Sequence, residues 1–99
     1  MKNFLKTLFG NPWEETRKLL EAGAVVIDVR TPGEFGSGHY PGAINIPLDR
    51  LEEKAETVRN YKKAVIVCCA SGMRSARAKS VLTRLGVPDV HNAGGWHNL

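Results

Sequence analysis

AVIVC, residues 64–68, is the most apolar run in the chain, and it leads directly into Cys69, Ala70, Ser71 and Gly72. A short run of β-branched and small apolar residues reads as a strand buried on both faces, at the centre of a sheet. Beyond the small residues, Arg74 opens a stretch (74–85) in which Ala78, Val81, Leu82 and Leu85 recur at helical spacing, with Gly86 as its stop. Strand, tight turn and helix therefore follow one another without a linker.

The same alternation runs along the rest of the chain. NPWEETRKLLE (11–21) carries helix-start signals: Asn11 as cap, Pro12 at the first helical position, Glu14 in the capping-box place, and Trp13, Leu19 and Leu20 for a buried side. AVVID (24–28) reads as a strand. TPGEF (31–35) repeats the start signal in miniature, with Thr31 as cap and Glu34 three residues on. GHYPGA (38–43) is a turn, AINI (43–46) a short strand, and VHN (90–92) a last one. Leu51, Ala55 and Val58 mark a further helix between Asp49 and Asn60. Alternating strands and helices predict the α/β class, a three-layer α/β/α sandwich around a mostly parallel sheet of four to five strands. In such sheets ligands bind beyond the carboxyl ends of the strands, where Cys69 falls.

The 99 residues predict a single domain over 1–99, with 1–11 as an N-terminal extension containing Phe4, Leu5, Leu8 and Phe9. No apolar run reaches the roughly 18–20 residues of a membrane span. Lys6 breaks any signal-like apolar core and no small-residue cleavage site follows, so a cytoplasmic location is expected. The two adjacent cysteines are not a disulfide framework and lack further ligands for a zinc site. His39, His91 and His97 are scattered and read as structural or solvated. The formal charge of +4 comes without a lysine-rich tail or an aromatic–basic platform, which points away from nucleic acid and toward a small anion or an acidic partner.

Reactive thiol chemistry is what remains, and the loop supports it. Alternation along the strand predicts Cys68 in the core with Val65 to Val67, and Cys69 as the first residue of the turn. Ala70, Ser71, Gly72 and Met73 allow a tight curl whose N–H groups turn inward as an anion-binding nest, with Gly72 free to take a left-handed conformation. The helix beginning near Arg74 adds unpaired N–H groups and a positive dipole end. A free thiol has a pKa of about 8.5, whereas cysteines at helix N-termini or beside cations fall to roughly 3.5–7.5. Arg74 and Arg77 oppose the helix dipole, as they would beside an anion that offsets the cost. For Arg77 a solvated basic face continued by Arg84 explains the sequence equally well.

These residues match a known pattern. CASGMRS (69–75) resembles the active-site loop of rhodanese-like sulfurtransferase domains, and VIDVRTPGEFGSGHYPGAINIPL (26–48) and LTRLGVPDVHNAGGW (82–96) resemble two further segments of that family. The likeness covers about residues 12–96. It implies a parallel-sheet domain in which the Cys69 thiolate takes sulfur from a small anionic donor such as thiosulfate. The sulfur would be held as a persulfide among the N–H groups from Ala70 to Arg74 and passed to cyanide, a thiol or a protein acceptor. It implies no metal and no organic cofactor. Asp28, Arg30 and Arg77 stand as supporting residues, Glu34 as a cap or ion-pair partner, His39 as structural, and Gly94, Gly95 and Trp96 as fixing the final turn. Ala70 stands where many members carry a charged or bulky residue, which removes one anion contact. The C-terminal helix common in relatives is expected to be short or missing, and the protein is expected to be a monomer.

Two rival functions share the pattern. A phosphatase or arsenate reductase on the same fold has five residues between cysteine and arginine, whereas Ala70 to Met73 are four. A tighter ring suits one sulfur better than a phosphoryl group. A catalytically silent binding module usually lacks the cysteine, and here Cys69 and Arg74 are both present.

Overall fold

In the order β2-β1-β3-β4, four strands make one sheet: β1 (Val25–Asp28), β2 (Ile44–Asn45), β3 (Val65–Cys69) and β4 (Val90–Gly95). Every neighbouring pair is parallel. The computed structural model describes residues 12–99. Helices α1 (Pro12–Glu21), α2 (Pro32–Gly36), α3 (Leu51–Asn60) and α4 (Met73–Arg84) alternate with the strands, and 3-10 turns lie at Leu48–Arg50 and Trp96–Asn98. The expected Asn11 cap and the apolar segment from Phe4 to Phe9 lie outside the described residues.

Both faces of the sheet are covered, because β1 and β3 have no polar side to give to water. On one face Ile27, Val65, Val67 and Cys69 pack with Leu51, Ala55 and Val58 of α3 and Ala78 and Leu82 of α4. On the other, Val26, Ile66 and Cys68 meet Leu19 and Leu20 of α1 together with Tyr40, Ala43, Trp96 and Leu99. All of β3 is buried, and each fully buried aliphatic side chain there contributes roughly 1.5–3 kcal/mol relative to exposure. The helical spacings of α3 and α4 therefore mark their core faces as the sequence indicates.

Three local expectations need correction. Cys69 is the last residue of β3, not the first of the turn, and it lies on the Val65 and Val67 face while Cys68 lies on the opposite one. The final strand runs to Gly95 because a register shift between Val67 and Cys68 lets the two cysteines pair with Gly94 and Gly95. Glycines carry almost no strand signal, so the extension is invisible to propensity. Trp13, in the first turn of α1, is 54% exposed and takes no part in the packing that Leu19 and Leu20 provide.

The strand order places the site. From β1 the chain leaves to β2 on one side, and from β3 to β4 on the other. Between β1 and β3 lies the switch point, where the loops leaving the carboxyl ends diverge and open a crevice. Asp28 ends β1 and Cys69 ends β3, so both strands end at that switch point.

Candidate active site

The loop after β3 closes on the Cys69 sulfur. Gly72, at φ 109° and ψ −15°, caps α4 without a side chain, a backbone conformation that glycine adopts at little cost. That turn brings the Gly72 N–H to 3.0 Å from Cys69 Sγ, and the Ser75 N–H, in the first turn of α4, to 3.3 Å. The Ser71 amide also donates toward the sulfur. Ser75 Oγ lies 3.4 Å from Sγ and 3.1 Å from the Gly72 carbonyl oxygen. When Cys69 is a thiol its S–H can donate to Ser75 Oγ. When it is a thiolate the hydroxyl can donate to the sulfur instead.

These contacts decide the charge of Cys69. The residue is 1% exposed, and burial alone pushes its pKa up. The Ser75 hydroxyl and the Ser75, Gly72 and Ser71 amides outweigh that burial and hold it below the ordinary value. Cys68 shows the opposite balance. Burial, and then the neighbouring Asp28 carboxylate, push its thiol up to about 12. Two adjacent cysteines on opposite faces of one strand thus differ in the charge their surroundings favour: the thiolate at Cys69 and the neutral thiol at Cys68.

The loop arginine does not face the sulfur as an open anion ligand. Arg74 Nη1 and Nη2 donate to the two Glu34 carboxylate oxygens at 2.7 and 3.0 Å. Glu34 closes the capping box of α2 with Thr31, whose amide and hydroxyl donate to its Oε1 at 3.1 Å each. Both roles that the sequence suggests for Glu34 are occupied at once. Arg77 is exposed and lines an open groove of about 540 Å³ with Val29, Leu48, Arg74, Val81 and Arg84. Met73 is 83% exposed and Ala70 is exposed at the loop's outer side.

Asp28 and Arg30 form a buried ion pair at the end of β1, on the Cys68 face of the sheet. Asp28 is fully buried, and Arg30 Nη2 donates to its Oδ2 at 2.7 Å and to the Gly38 carbonyl at 2.7 Å. The guanidinium also sits 4.9 Å from the centre of the Trp96 ring. Asn45 donates to the carbonyls of Asp28 and Arg30, tying β2 to the end of β1. His39 stacks on Phe35 and is bonded through Nδ1 to the Phe35 carbonyl, a structural contact. Among the described residues no group of three His, Cys, Asp or Glu side chains converges as a metal site would require, and no helix is long and apolar enough to cross a membrane.

Sequence reading passed over Ser75 and under-used Gly95. Ser75 shares the buried face of α4 with Ala78 and Leu82, so the helical spacing that marked those residues, extended back by three, reaches it. Gly95 has a different signal. A Cβ there would stand 2.7 Å from the Ala70 carbonyl oxygen, a contact visible only once the strands are assembled.

Comparison with known proteins gives the same picture. The model of the rhodanese-like domain matches residues 12–99. The thiosulfate sulfurtransferase PspE of Escherichia coli is 43% identical over 74 residues, which cover 74% of this chain and 71% of that protein. A solved rhodanese with anions from E. coli superposes with a TM-score of 0.72 at 38% identity, covering 78% of this chain and 92% of that one. The human single-domain sulfurtransferase TSTD1 does so with a TM-score of 0.71 at 30% identity, covering 86% and 88%. With a match that spans every described residue and a relative this similar, the chain belongs to the rhodanese-like domain family.

Proposed function

We propose that the protein is a sulfurtransferase that carries one sulfane sulfur on Cys69. The observation that bears most weight is the convergence on Cys69 Sγ of the Gly72 and Ser75 amides at 3.0 and 3.3 Å and the Ser75 hydroxyl at 3.4 Å. A set of donors aimed at a nearly sealed sulfur favours a negative charge there, first on the thiolate and then on its sulfurated form. The names of PspE and of the human relative, both sulfurtransferases, support the same reaction class.

The reaction is two displacements at sulfur. The Cys69 thiolate attacks the outer sulfur of thiosulfate. The new Cys69–S bond forms as the donor's S–S bond breaks, and sulfite leaves with the bonding pair. The persulfide's outer sulfur remains at the loop bounded by Ala70, Ser71, Gly72, Met73 and Arg74. An acceptor, cyanide in an assay or a small or protein thiolate, then attacks that sulfur and restores the Cys69 thiolate. Neither step requires a metal or an organic cofactor. Asp28 and Arg30 brace the end of β1 beside the loop's strand, and Arg77 borders the groove along which an acceptor approaches. One domain, working as a monomer in the cytoplasm, completes the proposal.

Intact-mass measurement after thiosulfate treatment tests it. A gain of one sulfur atom, lost on cyanide addition, absent in Cys69→Ser and retained in Cys68→Ser, is the expected result. No gain, or a gain that requires Cys68, overturns it. Hydrolysis of an aryl phosphate without sulfur uptake would support the phosphatase alternative.

A further inference from the structure

The Arg74–Glu34 ion pair has a consequence for donor choice that depends on the sulfurtransferase reading. Both guanidinium Nη atoms are spent on one carboxylate, at 2.7 and 3.0 Å. Glu34 is itself anchored, since its Oε1 also accepts from the amide and hydroxyl of Thr31 at the start of α2. The Arg74 hydrogen bonds, ahead of the Thr31 bonds, lower its pKa to about 2, so the carboxylate stays ionised throughout the working pH range. Arg74 in turn lies close enough to feel the charge on Cys69. This loop guanidinium is therefore already neutralised, by a group that belongs to the protein.

The geometry points to Glu34 as a specificity-determining residue: its carboxylate fills the Arg74 fork, leaves the loop amides as the anion seat, and biases the site against dianionic sulfur donors in favour of donors of lower charge. An arginine fork matches sulfonate and carboxylate oxygens in the same planar way, so a bound internal carboxylate and an incoming dianion compete for it. Arg77, exposed and without an ion-pair partner among the described residues, lies further along the groove and does not replace it.

Glu34→Gln isolates the effect, because glutamine at this position keeps the capping box and removes only the charge. Thiosulfate is titrated calorimetrically into Cys69→Ser and into Cys69→Ser/Glu34→Gln, where no turnover intrudes. The expected result is a Kd about three- to tenfold lower in the second protein. Glu53→Gln makes the same charge change at the Arg50 pair, 2.9 Å long and outside the groove, and is expected to leave Kd unaltered. With Cys69 intact, Glu34→Gln is expected to lower KM for thiosulfate at constant kcat, and to lower KM for the monoanionic donor benzenethiosulfonate less. The double variant Glu34→Gln/Arg74→Gln removes the neutral pair as a unit, and its thiosulfate Kd, in the Cys69→Ser background, is expected to stay within about twofold of the parent. An unchanged Kd in Glu34→Gln, an equal gain from Glu53→Gln, or a severalfold weaker double variant overturns the proposal. Since the binding arm needs no sulfur transfer, absence of sulfur uptake by Cys69 would sink the functional reading while leaving this result interpretable.

Discussion

Gly95 on β4 approaches the Ala70 carbonyl so closely that a Cβ at position 95 would lie 2.7 Å from that oxygen and 2.7 Å from His97 Cε1. The His97 ring can swing aside. The Ala70 carbonyl belongs to the loop that encloses the sulfur and cannot move without carrying the loop with it. Gly95→Ala is therefore expected to reduce sulfur uptake at Cys69 by an order of magnitude or more, while overpacking costs only about 1–3 kcal/mol of stability. Urea unfolding and intact mass, measured on the same protein, separate the two effects.

Ser75→Ala removes a hydroxyl that serves both Cys69 Sγ and the Gly72 carbonyl, at 3.4 and 3.1 Å. The thiolate loses the largest of the contacts that lower its pKa. The pH profile of Cys69 alkylation is expected to move to higher pH, with a stability loss of about 1 kcal/mol. A profile unchanged by Ser75→Ala would mean that the amides alone set the charge.

The buried pair of Asp28 and Arg30 braces the carboxyl end of β1, next to Cys68. Asp28 is fully buried, and the Arg30 side chain is 6% exposed at a separation of 2.7 Å. Asp28→Ala strands the guanidinium in that environment, and such a loss costs about 3–5 kcal/mol. Denaturant titration is expected to show this loss in full, with residual sulfur uptake in whatever fraction remains folded.

Cys68 gives a prediction on the alkaline side. Its folded pKa is pushed up to about 12, above the roughly 8.5 of an unfolded thiol. Below that unfolded value both states hold the proton and the contribution to stability is complete. As pH rises from there toward the folded pKa, the unfolded chain alone loses its proton, and stability falls. The alkaline fall in unfolding free energy is expected to be shallower in Cys68→Ala, by the slope of one proton.

Much of the fold was legible in the sequence because its pattern is local. The spacing of Leu51, Ala55 and Val58 marks α3, and Thr31, Pro32 and Glu34 spell out the capping box of α2. The apolar run through Val67 declares β3 buried. What sequence could not supply depends on strand order and register. The one-residue error at Cys69 arose because a strand that ends inside its own sheet has no polar residue to mark its end. The extent of β4 depends on a register shift opposite Cys68. Arg74 reads as an anion ligand on its own helix, and only tertiary packing brings Glu34, from α2 far earlier in the chain, into its fork.

The charge state of Cys69 is the point on which the rest depends. Thiolate ultraviolet absorbance, recorded against pH in Cys68→Ser so that a single thiol contributes, measures it directly. A midpoint clearly below the roughly 8.5 of an ordinary thiol is predicted, because the folded site favours the anion. A midpoint at or above that value would contradict the account, since burial would then outweigh every donor around the sulfur.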